Sequence, residues 1–170
     1  MAKASGSTII SEDMIEQNVN KVVGFFDNVG VSASVTGQLS SKDFYSSIIR
    51  NLLSADRVER GRVTCSFSVK PVVSNYFRSL HGGAVGAIAE RVSIACARTM
   101  VAEDKELFLG EISISYLSTA PENAEVIVDG SVVRSGRNLT VVATEFTVKK
   151  TRKLVYTTRA TFYHLPSAKL

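Results

Sequence analysis

The chain has 170 residues, of which 45% are hydrophobic and 21% charged, the length and balance of one globular domain with its own core; neither a disordered tail nor a repeat array fits. A net charge of +4 is too small to require a nucleic-acid partner. That charge is unevenly placed. Residues 131–170 carry eight basic side chains (Arg134, Arg137, Lys149, Lys150, Arg152, Lys153, Arg159 and Lys169) against Glu145 alone, +7, whereas residues 1–130 carry 12 basic and 15 acidic, −3. A basic quarter on a mildly acidic body is either a phosphate-binding patch or a solvated strand face, and charge alone favours the solvated face.

In chain order, Ser11 with Glu12 and Asp13 reads as a helix cap with an acidic first turn, and Met14, Val19, Val22, Val23 and Phe26 continue at helical spacing toward Gly30. Ser40 or Ser41 caps a second, shorter helix bearing Phe44, Tyr45, Ile48 and Ile49. A strand through Leu52 and Leu53 ends near Glu59–Gly61, and alternating Val63, Cys65, Phe67 and Val69 form its hairpin partner until Pro71. From Gly82 to Val101 the chain is apolar and small-residue rich, which suits a central helix buried on several sides. Strand-like runs follow at 108–118, 124–134, 138–149 and 153–163, with Lys149, Lys150, Arg152 and Lys153 as a solvated turn between the last two. Strands gathered around one helix predict an α+β fold with a mostly antiparallel sheet wrapping that helix. Tyr116, Tyr156 and Phe162 read as core or rim packing. The expected organisation is an N-terminal extension over 1–39, a domain over 40–165 and an exposed tail over 166–170.

No apolar run reaches 18 residues and the N-terminus lacks a continuous apolar segment, so neither membrane spanning nor secretion is expected. Cys65 and Cys96 lie in apolar surroundings without a C-x-x-C, which predicts buried structural thiols in a reducing compartment. The final Ala168, Lys169 and Leu170 differ from the Ser-Lys-Leu peroxisomal address by one small-for-small exchange, which suggests a peroxisomal import receptor as partner, with the cytoplasm as the alternative location.

Several catalytic motifs are absent, among them G-x-S-x-G, H-E-x-x-H and any cysteine cluster, so no metal site is expected. What stands out is His81-Gly82-Gly83 at the start of the central helix, with Glu90 inside it. A helix start offers N–H groups without intrahelical partners, and two glycines let a ligand atom reach them, which makes an oxyanion hole; a tight loop-to-helix turn is the alternative. Glu90 has Gly86, Ala87, Ser93, Ile94 and Ala97 as helical neighbours and no basic residue at i±3 or i±4. Burial there would raise its pKa toward that of a general base; a structural carboxylate at a subunit seam is the alternative. The nine residues from His81 to Glu90 span roughly 13 Å at ~1.5 Å per residue, so donors and carboxylate of one helix cannot meet on one atom. Two antiparallel helices from two chains could bring them together, giving two composite sites per dimer.

Leu80–Glu90, reading LHGGAVGAIAE, resembles the hotdog-fold acyl-CoA thioesterases, in particular the thioesterase superfamily member 2-like and PaaI-type group. Ile114–Ser118, Arg134–Leu139 and Tyr163–Leu165 extend the resemblance over about residues 44–165. It implies a hotdog fold of about six antiparallel strands around one long helix, with extra N-terminal helices. It further implies a thioester hydrolase acting on a fatty or aromatic acyl-CoA, with no cofactor beyond the substrate, as a homodimer or homotetramer. Glu90 would activate water or attack the thioester, Gly82 N–H would polarise the carbonyl and Asn75 would position thioester or water. His81 would orient the helix start and Ser93 would be a donor supporting Glu90. Contacts to CoA would come from Tyr116, Arg134, Ser135, Gly136, Arg137, Asn138, Leu139 and His164, with the two arginines on phosphates. One family feature, a polar residue just ahead of the third strand, corresponds to Leu109 or Gly110, which motivates an alternative: a noncatalytic acyl-CoA binder. A hotdog dehydratase is disfavoured by the HGG spacing and by Asn75.

Overall fold

A computed structural model describes residues 44–166 of the chain. The expected helix near Ser11–Gly30, the Ser40 or Ser41 cap and the Ala168–Leu170 tripeptide lie outside the described residues. The first described helix, α1 (Phe44–Leu52), runs through Leu52, so the strand expected at Leu52–Leu53 begins only at Ser54, as β1 (Ser54–Glu59). The reason is periodicity: Ile48, Ile49, Leu52 and Leu53 sit at i, i+1, i+4 and i+5, one helical stripe, and all four pack on the core.

Next come β2 (Arg62–Ser68), a 3-10 turn at Pro71–Val73, α2 (Gly82–Arg98), β3 (Lys105–Tyr116), β4 (Glu125–Ser135), β5 (Leu139–Val148) and β6 (Lys153–Pro166). The six strands form one antiparallel sheet in the order β1-β2-β4-β5-β6-β3. The β1–β2 hairpin turns at Gly61, whose φ of +79° suits glycine. On the inner face β2 buries Val63, Cys65 and Phe67, while β5 buries Thr140, Val142, Thr144, Phe146 and Val148. Against them α2 lays Val85, Ile88, Ala89, Val92, Cys96 and Ala97. Each fully buried Val, Ile or Phe contributes about 1.5–3 kcal/mol, so this seam is the main stabilising interface of the domain.

The sheet fixes the direction of α2. Its start lies beside Tyr116, at the end of β3, and its last turn beside Gly61 and Lys105 at the other end: Gly61 N donates to Thr99 Oγ1 at 2.7 Å, and an Arg98 guanidinium N–H donates to the Lys105 carbonyl. Both cysteines are free and buried, as expected. Burial pushes both thiols up, and Cys96 Sγ donates toward the Gly61 and Gly130 carbonyls. Among the described residues no helix is long and apolar enough to cross a membrane.

Candidate active site

His81 is the N-cap of α2, with extended backbone (φ −65°, ψ 133°) and its Nδ1 accepting from Gly83 N at 2.9 Å. As Nδ1 accepts, the proton of the neutral ring sits on Nε2. The backbone is pinned as well, His81 N to the Val73 carbonyl and Val85 N to the His81 carbonyl. His81 thus caps the helix start through both its side chain and its backbone. Of the first-turn donors, Gly83 is thereby satisfied and Ala84 is buried, which leaves Gly82 N–H for a ligand.

The segment before the helix is a closed loop. Ser74 and Leu80 bridge antiparallel, Asn75 N donates to the Ser79 carbonyl, and Asn75 Oδ1 accepts from Phe77 N, Ser79 N and Ser79 Oγ at 3.0–3.1 Å. Two backbone donors on Oδ1 settle the orientation of the amide, so Nδ2 is the group of Asn75 still able to donate to a substrate. Leu80 N bonds the Ala120 carbonyl, and Ala120 N donates to Tyr156 Oη at 3.0 Å, which ties the loop to the sheet.

Glu90 differs from expectation. It is exposed on the outward face of α2, beside half-buried Ala87 and Ile94, and has no hydrogen bond or ion pair among the described residues. The apolar neighbours that suggest burial, Gly86, Ala87 and Ile94, are themselves only half-buried, because the sheet covers the face of α2 with Val85, Ile88, Val92 and Cys96 and leaves the carboxylate in water. Ser93 also departs from its expected place next to Glu90. It is wholly buried under the helix, 3.0 Å from Thr144 Oγ1, and fastens α2 to β5.

The basic hairpin assembles as one unit at the far end of the sheet. Gly136 N closes the β4–β5 turn on the Leu139 carbonyl, and His164 N donates to the Asn138 carbonyl. Ser135 Oγ lies 2.9 Å from Thr140 Oγ1, which lies 2.9 Å from His164 Nε2, while His164 Nδ1 lies 3.2 Å from the Arg137 carbonyl. A carbonyl only accepts, so Nδ1 carries the proton and the hydroxyls of Thr140 and Ser135 donate in sequence toward Nε2. Both ring nitrogens of His164 are spent on holding the turn, so its place is beneath the loop and not on a ligand. Arg134 and Arg137 are exposed, with no ion pair among the described residues.

Tyr116 does not join that cluster. It sits at the helix start, its Oη donating to the Gly82 carbonyl at 3.1 Å. From Tyr156, its partner on β6, to Tyr163, the partner of Leu139, is seven residues, about 23 Å at ~3.3 Å per residue. Leu109 and Gly110 are not ahead of β3 but inside it, at a bulge where the Tyr163 ring lies over Gly110 and takes the space of any side chain there. Local sequence pattern does not single out Thr140 or Thr144, and it marks Tyr156 only as packing; the tertiary structure brings them to His164, Ser93 and Ala120. The lysine turn is as expected, outside the site, with Lys149 paired to Glu125.

One long helix held against a six-stranded antiparallel sheet is the hotdog fold, which solved thioesterases share. Residues 77–155 match the sequence model of the family described as the thioesterase superfamily. Zebra fish thioesterase superfamily member 2 is similar in structure at 22% identity, over 86% of this chain and 96% of that one, with a TM-score of 0.65. The smu.793 protein of Streptococcus mutans, solved with acetyl CoA bound, aligns at 21% identity over 67% and 89% with a TM-score of 0.63. The phenylacetic acid degradation protein PaaI of Thermus thermophilus, solved as a point mutant, aligns at 18% over 70% and 99%, also at 0.63. No curated protein sequence matches the chain.

Proposed function

We propose that the protein is an acyl-CoA thioesterase whose active site is shared between two chains. The observation that carries this is the start of α2, where capping by His81 consumes the Gly83 donor and leaves Gly82 N–H at the positive end of a 17-residue helix. That N–H polarises the thioester carbonyl and holds the oxyanion of the tetrahedral intermediate, with Asn75 Nδ2 as a second donor. Glu90 of a second copy, packed antiparallel, supplies the base: it takes a proton from water, the water oxygen adds to the carbonyl carbon, and collapse expels CoA thiolate. The exposed position of Glu90 supports this arrangement, because α2 has its carboxylate on the face a second helix would cover.

Arg134 and Arg137 bind the phosphates of CoA, consistent with a similar structure solved with acetyl CoA. Because the hairpin lies about 23 Å along the sheet from Tyr116, a CoA that reaches both elements runs along the helix or crosses to the partner. The acyl group is fatty or aromatic, and the Ala168–Leu170 tail directs the homodimer or homotetramer to peroxisomes. Thiol release over a panel of fatty and aryl acyl-CoAs tests the activity. Glu90→Gln should abolish turnover with the oligomer intact, and normal turnover in that variant refutes the mechanism. The space taken by Tyr163 above Gly110 favours a second reading, an acyl-CoA binder without hydrolysis, which the same panel distinguishes by CoA binding without thiol release.

A further inference from the structure

We infer that Tyr116 is a positioning residue for the carbonyl-polarising donor: with His81 it clamps the Gly82–Gly83 peptide from both sides and so aims Gly82 N–H. This rests on the proposed role of that N–H. One peptide unit carries both contacts. Its carbonyl, Gly82 O, accepts from Tyr116 Oη at 3.1 Å, and its N–H, Gly83 N, donates to His81 Nδ1 at 2.9 Å. With both ends held, the peptide plane resists rotation about its flanking bonds and anchors Gly82 Cα, the atom that joins it to the peptide carrying Gly82 N–H. Gly82 N–H itself belongs to the preceding peptide, which Val85 N holds by the His81 carbonyl; glycine at both positions adds no side-chain restraint about the bonds joining the two peptides, and the Tyr116 contact supplies one from outside the helix.

Tyr116 is itself held. Its ring meets Tyr156 edge-on at 5.8 Å, Tyr156 meets Phe146 at 5.7 Å, and Tyr156 Oη receives Ala120 N. Tyr156 and Phe146 are buried, whereas Tyr116 is 55% exposed at the mouth of the site. A buried aromatic row thus delivers one hydroxyl to an otherwise solvated helix start. The fit is close: a Cβ on Gly82 would come 3.3 Å from Tyr116 Oη and 3.5 Å from its ring. This differs from the CoA contact that family resemblance implies for Tyr116, and the two roles separate kinetically. A positioning residue acts on the transition state, a CoA contact on binding.

The test uses the full chain and Tyr116→Phe, which keeps the ring against Tyr156 and removes only the hydroxyl, together with His81→Ala and the double variant. The readouts are kcat and KM on the acyl-CoA the wild type turns over fastest, and the 15N–1H resonances of Gly82 and Gly83. Removing a direct oxyanion donor costs about 10²–10³ in kcat; loosening its support should cost about tenfold, with KM within about twofold. The Gly83 amide should move, and the two single losses in kcat should be non-additive because they release the same peptide. A loss confined to KM, additive losses, or unmoved Gly82 and Gly83 resonances would each overturn the inference. If the wild type releases thiol from no acyl-CoA, the proposed function fails by itself, and the Gly83 resonance in Tyr116→Phe alone decides whether the clamp exists.

Discussion

Helix α2 comes close to the sheet at Gly130 on β4, and adding one methyl there measures how tightly the helix is seated. A Cβ on Gly130 would stand 3.1 Å from Val92 Cγ1, 3.5 Å from Cys96 Cβ and 3.6 Å from the Val63 carbonyl. Carbon atoms prefer about 3.5–4.0 Å, so the valine must retreat by a few tenths of an ångström, yet Val92 is 1% exposed and Cys96 wholly buried. Overpacking of this kind costs about 1–3 kcal/mol, and the lower entropy of an unfolded chain with alanine returns about 0.4–1 kcal/mol. Gly130→Ala should therefore lose about 1–2 kcal/mol in urea unfolding, with the m-value unchanged. Val92→Ala vacates the space the new methyl needs, so the double variant should be more stable than the sum of the single losses, by about 1 kcal/mol. Wild-type stability in Gly130→Ala, or strict additivity with Val92→Ala, would show that helix and sheet do not meet as described.

Asn75→Ala removes the acceptor of three hydrogen bonds and should cost about 1–3 kcal/mol; Asn75→Asp keeps that acceptor and should recover the stability in thermal melts while thiol release stays low, because the Nδ2 donor is gone. Ser93→Ala strands Thr144 Oγ1 in the core and should lose about 1–3 kcal/mol with kcat little changed, and adding Thr144→Val should restore most of the stability. For Asp129, burial works to raise the pKa, but hydrogen bonds from Arg62 and Thr64 and the Arg62 charge outweigh it and hold the carboxyl below its ordinary value. Its contribution is thus complete at neutral pH and lost as pH falls through that lowered pKa; in acid titrations of stability Asp129→Asn should flatten the limb below about pH 4.

The central helix, the basic hairpin and the strands that flank it are legible because each is written in local pattern, whereas the pairing of β3 with β6 is not. Small apolar residues from Gly82 onward, glycine at Gly136 and alternating Val, Thr and Phe on β5 need no tertiary knowledge. Leu52 and Leu53 mislead because two adjacent leucines fit a strand as well as the end of a helical stripe. Glu90 and Ser93 expose a limit of helical-wheel reasoning. The wheel gives angular positions, but only the sheet decides which arc is covered, and β5 covers the arc with Ser93. Tyr116 reads as packing in the sequence and as a CoA contact by resemblance; its contact with Gly82, 34 residues away, is made by packing of β3 against the helix start, which no local pattern encodes. Asn75 is named by the family resemblance alone, and its first task, closing the loop on Ser79, follows from the turn chemistry of asparagine.

The hydrogen bonds beneath the basic hairpin run one way, from Ser135 through Thr140 to His164 and on to the Arg137 carbonyl. A one-way chain is graded in its tolerance of substitution. Serine at its head can be lost to a small residue with only one donor missing, and the rest keep their partners. Histidine near its tail cannot, since its removal strands a buried threonine hydroxyl and releases the turn that carries Arg137. Variation among relatives of this chain should therefore thin out along the line from Ser135 to His164, so that the order of the donors is also an order of evolutionary constraint.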